Sequence, residues 1–246
     1  MKNVYDTKVF FDEYQAMREN KINANNLIEN PQIKEMLPNL QGKTILDLGC
    51  GAGDMDKYFI EKGAKFVLAT DISENMINVA KTVNSNPNID YRVLKMEDIS
   101  CLKQKFDIVY SSLAFHYIED FNKLLADINS LLTTNGTLIF SFESPVNMAA
   151  SKYTKDDQRK FDINGKRYFG IDGYCNEGER KVFWNDTVVT KYHRTYATIV
   201  NTLIKNNFDI KEIKDSYASP EAISLCPKYK YQIDKPYFTY VNATKK

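Results

Sequence analysis

The chain has 246 residues, which is enough for one α/β domain with a hydrophobic core and an insertion. Its formal net charge of +1 and the lack of a long basic run argue against nucleic-acid and membrane-surface partners, and no stretch has the apolar character of a membrane span or a signal core. The four widely spaced cysteines form no Cys-x-x-Cys pair, so we expect reduced thiols in a cytoplasmic protein rather than disulfides or a zinc site.

The region before the first strand is predicted to be helical. Apolar residues recur at helical spacing within residues 4–19. Residues 22–29 form a second predicted helix, which should end at Asn30-Pro31 because the residue before a proline disfavours the helical conformation.

The remaining chain alternates short apolar runs with amphipathic segments, a pattern that predicts a doubly wound α/β sheet. Strands are predicted at residues 44–48, 65–71, 90–94, 105–112, 137–143, 208–217 and 236–242. Helices are predicted at residues 54–62, 73–82, 121–132 and 196–206. Residues 220–234 are predicted to be a loop, and a last strand that follows a loop without a helix can insert antiparallel beside the sixth strand.

Residues 145–192 interrupt this alternation, and we name them the cap insertion. They are rich in tyrosine and phenylalanine and contain the single tryptophan, Trp184. A β-hairpin is predicted from residues 180–184 and 187–192. His193 and Arg194 follow the insertion, and they could bind an anionic group because arginine forks onto carboxylates; a surface pair that closes the hairpin is the alternative.

Residues 44–53 (TILDLGCGAG) carry the strongest functional signal. Gly49, Gly51 and Gly53 alternate directly after a strand, where missing Cβ atoms allow sharp bends and close ligand approach. A dinucleotide fingerprint needs its third glycine at position 54, where Asp54 stands and would repel a pyrophosphate at the helix N-terminus. Gly-x-Gly-x-Gly after an Asp-x-Gly strand instead resembles motif I of the class I methyltransferases that use S-adenosylmethionine (SAM), a cofactor without phosphates that tolerates an acidic loop.

Three motifs together resemble the class I SAM-dependent methyltransferases. They are residues 46–53 (LDLGCGAG), 71–73 (DIS) and 106–109 (FDIV). Residues 111–117 and 191–195 further resemble a bacterial group of mostly unassigned substrate, within the small-molecule branch that is methyltransferase type 11-like and related to ubiquinone and menaquinone biosynthesis. The resemblance covers nearly the whole chain. It implies a single domain with a Rossmann-like, seven-stranded, mostly parallel sheet, an antiparallel last strand, N-terminal lid helices (residues 1–40) and a cap.

The resemblance also implies which residues surround the cofactor. Asp71 lies about 20 residues after the glycine loop, where a carboxylate holds the ribose hydroxyls. Either Glu97 or Asp98 would read the adenine amino edge. The expected cofactor contacts are Asp47, Gly49, Cys50, Gly51, Gly53, Asp71, Ile72, Met76, Met96, Glu97, Asp98 and Ser111. The expected contacts on the acceptor side are Tyr14, Arg18, His116, Tyr117, Trp184, His193 and Arg194.

The implied reaction is in-line methyl transfer from SAM to a small-molecule acceptor, giving S-adenosylhomocysteine (SAH) without a metal. His116 is the candidate base because its normal pKa suits proton acceptance, although it could merely shape the pocket. Ser144 stands where a histidine is expected in the bacterial group, which weakens any histidine chemistry at that site. The protein is expected to be a monomer or homodimer.

Two alternatives use the same SAM domain. A nucleic-acid methyltransferase should have a basic face and an Asn-Pro-Pro-Tyr-type motif after the fourth strand, and neither is evident. A non-catalytic SAM-binding or partner-binding protein would use the aromatic cap as an interaction surface.

Overall fold

The computed structural model describes residues 6–8, 11–13, 16, 20–150, 160–184 and 187–246. Two predicted acceptor contacts, Tyr14 and Arg18, and most of the first predicted helix lie outside these residues. The backbone of Trp184 is described, but its side chain is not.

The described strands and helices follow the predicted alternation. The strands are β1 (Thr44–Leu48), β2 (Phe66–Asp71), β3 (Ile89–Val93), β4 (Phe106–Ser111), β5 (Leu132–Glu143), β6 (Lys160–Ile163), β7 (Lys166–Phe169), β8 (Gly178–Trp184), β9 (Thr187–His193), β10 (Phe208–Asp215) and β11 (Phe238–Lys245). The α-helices are α1 (Asn30–Glu35), α2 (Asp54–Glu61), α3 (Glu74–Val83), α4 (Phe121–Leu131), α5 (Pro145–Met148), α6 (Tyr196–Lys205) and α7 (Pro220–Leu225). A π-helical turn, Asn25–Glu29, runs into α1, and 3₁₀ turns cover Met96–Cys101, Phe115–Tyr117 and Pro227–Ile233.

Seven strands form one sheet in the order β10-β11-β5-β4-β1-β2-β3. β11 is antiparallel to both of its neighbours, and the other pairings in the sheet are parallel. The predicted mostly parallel sheet and its antiparallel last strand are therefore confirmed. No helix of the described ranges combines the length and the apolar composition needed to cross a bilayer.

The first residues of α1, α7 and β5 differ from the predicted boundaries. Asn30-Pro31 does not end a helix: α1 begins there, because a proline in the first turn lacks only an N–H that needs no partner. Residues 220–234 are not a simple loop, since Ser219 Oγ accepts a hydrogen bond from Ala222 N–H (3.1 Å) and starts α7. β5 begins before residue 137, because Leu132 already pairs with Phe106 of β4.

The cap insertion contains two hairpins. β8 and β9 pair as predicted, from Gly178 opposite His193 to Trp184 opposite Thr187. β6 and β7 form a second hairpin that was not predicted. Its turn is Asn164-Gly165, with φ of 51° and 75°, and this dipeptide is a strong hairpin signal that the sequence did contain.

Alternation along β1 sends its side chains to two cores. Leu46 and Leu48 pack in the core beneath α4 and α6. Ile45 packs on the opposite face with Phe59 of α2. Asp47 alternates with the two leucines, so its carboxyl faces α2 rather than solvent.

Candidate cofactor and acceptor site

The glycine loop joins β1 to α2 in a conformation that needs glycine. Gly49, Gly51 and Gly53 have φ of 80°, 55° and 84°, values that side chains rarely adopt. The N–H groups of Gly49 and Cys50 both donate to the Thr70 carbonyl of β2, at 2.7 and 2.9 Å. The loop is thus fixed against the neighbouring strand at the carboxyl edge of the sheet, where open α/β sheets bind ligands.

Close packing surrounds the loop on two sides and leaves a third side open. A Cβ on Gly49 would lie 2.8 Å from Met96 Cε and from Ala114 Cβ, and one on Gly53 would meet the Tyr91 ring. No described atom lies within 4 Å of a Cβ on Gly51, so a ligand can approach the backbone there.

The Asp71 carboxylate is held in place by two backbone groups. Gly51 N–H donates to Oδ2 (3.0 Å) and Ser73 N–H donates to Oδ1 (2.8 Å). Burial raises the pKa of Asp71, while these N–H groups act in the opposite direction. Each oxygen retains a lone pair, so the carboxylate can accept two vicinal hydroxyls. The neighbouring Ile72 side chain is 41% exposed, as a contact for a flat ring would require.

Two buried carboxyls lie beneath the loop. Asp47 is 2% exposed and Asp56 of α2 is fully buried. Burial is the main cause that raises both pKa values, well above the ordinary value for Asp47 and to about 7 for Asp56. Asp56 was not predicted, but Met55 and Phe59 place its helical turn on the buried face and could have indicated it.

The other predicted cofactor contacts divide by burial. Ser111 Oγ donates to the Leu48 carbonyl (2.7 Å) and is buried, so it ties β4 to β1 instead of facing the loop. Met76 lies on the buried face of α3. Glu97 and Asp98 are exposed on the 3₁₀ turn, and their geometry leaves the choice between them open.

A mostly apolar pocket, which we name the acceptor pocket, lies at the carboxyl end of β5, between the turn after β4 and the end of β9. Its empty space is about 320 Å³, including its open mouth. It is lined by Phe115, His116, Phe121, Phe140, Phe142, Glu143, Pro145, Met148, Tyr192, His193, Arg194 and Ile199. The pocket brings together three of the predicted acceptor contacts, His116, His193 and Arg194.

His116 is placed as a hydrogen-bond donor. Glu143 N–H donates to its Nδ1 (3.3 Å), which leaves the proton of the neutral ring on Nε2. Burial lowers the pKa of His116 to about 3. The Tyr117 ring packs against it at 4.3 Å between centroids. This arrangement does not favour the predicted role as a base.

The Arg194 guanidinium is hydrogen-bonded to backbone carbonyls. Its guanidinium donates to the carbonyls of Ile118 and Glu119, the latter at 2.8 Å, and lies 5.1 Å from the centre of the Phe121 ring. Burial lowers its pKa to about 10. It therefore fixes the turn after β4, and the geometry does not support the predicted binding of an anionic group.

His193 offers the opposite polarity to His116. Its Nε2 lies 2.8 Å from the Tyr174 carbonyl and must donate to it, so Nδ1 carries the lone pair. Nδ1 is buried and has no hydrogen-bond partner among the described residues. This nitrogen can accept a hydrogen bond from a ligand.

Two further carboxylates were missed by sequence reasoning. Glu143 forms an ion pair with Lys191, which is 4% exposed and lowers the pKa of Glu143 against the effect of burial. Glu29 Oε1 accepts from Ser112 Oγ (2.8 Å) and Ser141 Oγ (2.6 Å) at the ends of β4 and β5. No sequence signal pairs residues so far apart.

The comparisons with known proteins agree with this geometry. The family model described as "Methyltransferase domain" matches residues 46–140. A crystal structure of a SAM-dependent methyltransferase from Mesorhizobium loti is 33% identical with a TM-score of 0.80, over 91% of this chain and 98% of that chain. An uncharacterized protein of Haemophilus influenzae is 38% identical over 222 residues, 87% of this chain and 85% of that protein. A ubiquinone biosynthesis O-methyltransferase of Coxiella burnetii is 32% identical over 104 residues, 42% of this chain and 44% of that protein.

The residues at the loop fit SAM. The open side of Gly51 admits a ligand to the backbone, Asp71 can accept ribose hydroxyls, and the unpartnered Asp47 Oδ1 suits an amino group. None of these features requires a phosphate. With similarity over nearly the whole chain to a solved member, the chain belongs to the class I SAM-dependent methyltransferases and uses SAM as its cofactor.

Proposed function

We propose that this enzyme methylates a small, largely apolar molecule that carries one protic group. The proposal rests on the acceptor pocket, whose walls consist of seven aromatic or aliphatic side chains and five polar ones. The pocket is connected to the glycine loop through the turn after β4, where Ala114 faces Gly49 and Phe115 lines the pocket. The name of the Coxiella relative, a ubiquinone biosynthesis O-methyltransferase, is consistent with an oxygen acceptor.

When bound, SAM would supply an electrophilic methyl group and a neutral thioether leaving group. The residues of this chain then have to align the acceptor and exclude water, which accounts for most of the rate in such a displacement. Asp71 would hold the ribose, Ile72 and Met96 would flank the adenine, and Asp47 and the glycines would hold the amino-acid end. Residues 1–40 and the cap insertion would cover the site within a single domain of residues 1–246.

On the acceptor side, His193 would receive the proton of the nucleophile. Its Nδ1 lone pair is buried, and Tyr174 fixes the tautomer through Nε2. Burial lowers the pKa of His193, so the ring is neutral and able to accept near neutral pH. His116 would donate a hydrogen bond and orient the acceptor rather than remove its proton.

The test is transfer of label from methyl-labelled SAM into a cell extract that has been divided into metabolites and macromolecules. We expect label in the metabolite fraction, and much less of it with the Asp71→Asn variant when SAM is supplied near the Kd of the wild type. Label confined to the nucleic-acid or protein fraction would contradict the proposed acceptor class. Binding of SAM without transfer into any fraction would instead support a non-catalytic role.

A further inference from the structure

The least compensated charges in the described structure are those of Asp47 and Asp56. Asp56 Oδ1 and Oδ2 and Asp47 Oδ1 are buried and have no hydrogen-bond partner among the residues described. Asp47 lies on β1 and Asp56 on α2, the helix that packs against that face of the sheet, and the glycine loop joins these two elements. An uncompensated buried carboxylate is unfavourable, and two adjacent ones are more so.

The surrounding titratable groups do not provide a compensating positive charge. The charged groups that act most on the pair are Asp54 on α2, Asp71 on β2 and Glu29 before α1, all of them acids. Burial is the main cause that raises the pKa values of Cys50 in the loop, Tyr91 on β3 and Tyr110 on β4, and the negative charges of the pair add to it. Each of these neighbouring groups is therefore acidic or neutral.

Two carboxyls in such a site cannot both be ionised at neutral pH, so they retain a proton between them. The rise in the pKa of Asp56 to about 7 is consistent with this state. A cation that binds beside the pair stabilises its fully ionised form and lowers its pKa, so the proton is released.

We propose that Asp47 and Asp56 share one proton in the free protein and release it to solvent when the ammonium group at the amino-acid end of SAM binds beside them. The proton leaves one carboxyl for the buffer, and the ionised pair then faces the ammonium with no other bond made or broken. This inference rests on the position of the amino-acid end at the glycine loop, which is part of the proposed function. It adds Asp56, which acts through Asp47 as a positioning residue.

The experiment is calorimetric titration at about pH 6 in two buffers of different ionisation enthalpy. The dependence of the binding enthalpy on the buffer gives the number of protons released. We expect close to one proton for SAM and for SAH, which both carry the ammonium group. We expect none for 5′-methylthioadenosine, which retains the adenosine but lacks the amino-acid end.

Substitutions localise the proton. Asp56→Asn should bind SAM with little or no proton release, whereas Glu61→Gln, at the exposed end of the same helix, should behave like the wild type. The comparison of SAM with 5′-methylthioadenosine needs only the wild-type protein and holds even if Asp56→Asn does not fold.

Three outcomes would overturn the proposal in distinguishable ways. If SAM binds with an enthalpy that is independent of the buffer, no proton is released and the shared-proton hypothesis is wrong. The proposed function would not be affected. Equal proton release with 5′-methylthioadenosine would show that the ammonium group of SAM does not cause the release and does not bind beside the pair. Failure of SAM to bind the folded protein would contradict the cofactor site itself.

Discussion

His116 and His193 line the same pocket, but their ring nitrogens have opposite polarity. His116 accepts from Glu143 N–H and keeps a donor, whereas His193 donates to the Tyr174 carbonyl and keeps an acceptor. The sequence shows two histidines near the predicted site but not which nitrogen each of them leaves unused. That difference is set by backbone groups on β5 and before β8, and it makes His193 the better candidate for accepting a proton.

The ribose assignment leads to a prediction for Asp71. Asp71→Asn keeps the shape of the side chain but removes its charge, so SAM should bind about 10- to 100-fold more weakly, as expected for the loss of a charge-assisted hydrogen bond. Calorimetry measures the affinity, with Asp209→Asn as a control because Asp209 is an exposed acid on β10. Equal affinities of wild type and Asp71→Asn would show that the ribose lies elsewhere.

The buried pair predicts how stability depends on pH. The pKa of Asp56 is raised from 3.8 to about 7, so the folded state holds its proton more tightly than the unfolded state. The resulting stabilisation is complete below about pH 4 and is lost as pH rises through about 7, by up to about 1.4 kcal/mol per pH unit. Asp56→Asn should show a smaller decline in urea unfolding without ligand, and Asp47, whose pKa is also raised by burial, should account for what remains. Parallel pH profiles of the two proteins would contradict the assignment.

At the scale of elements, polar contacts of β9 and of the residue after it help to hold the cap insertion against the sheet. Lys191 on β9 reaches Glu143 at the end of β5, and Arg194 reaches the carbonyls after β4. β9 therefore positions the acceptor pocket, because its residues contact the carboxyl ends of both strands that border it. The hairpin itself follows from local sequence, whereas its docking depends on a buried ion pair that no local pattern encodes.

The ion pair predicts a specific pattern of stability. Lys191→Met should lower the free energy of unfolding by about 1–3 kcal/mol, because the Glu143 side chain, which is only 20% exposed, then stays charged without Lys191. Adding Glu143→Gln should restore most of that loss, since no charge then remains at this partly buried position. Lys181→Met, on the same hairpin in an exposed pair with Glu179, should change stability by less than about 1 kcal/mol. Additive effects of the two buried substitutions in chemical unfolding would exclude the coupling.

At the scale of the molecule, the order of apolar runs and glycines predicts the sheet, its antiparallel last strand and the loop between β1 and α2. Those features follow from alternation and backbone sterics, which are local properties. The helical pattern could have indicated that Asp56 is buried, but its approach to Asp47 and the contacts of Glu29 could not be predicted in this way, because each joins residues that only the completed sheet brings together. The fold was therefore more predictable than the chemistry beneath its loop.

The proposal of a single domain predicts the response of the whole chain to SAM. One cooperative transition is expected on heating, because α4, α6 and the strands share one continuous core. SAM at about 100 times its Kd should stabilise the folded state by about 2.7 kcal/mol and raise Tm by roughly 5–10 °C, since it binds the folded chain alone. Differential scanning calorimetry measures both, with NAD as the control that should leave Tm unchanged. A second transition that does not respond to SAM would mean that the cap insertion unfolds independently of the sheet, and an equal shift with NAD would contradict the selectivity of the glycine loop.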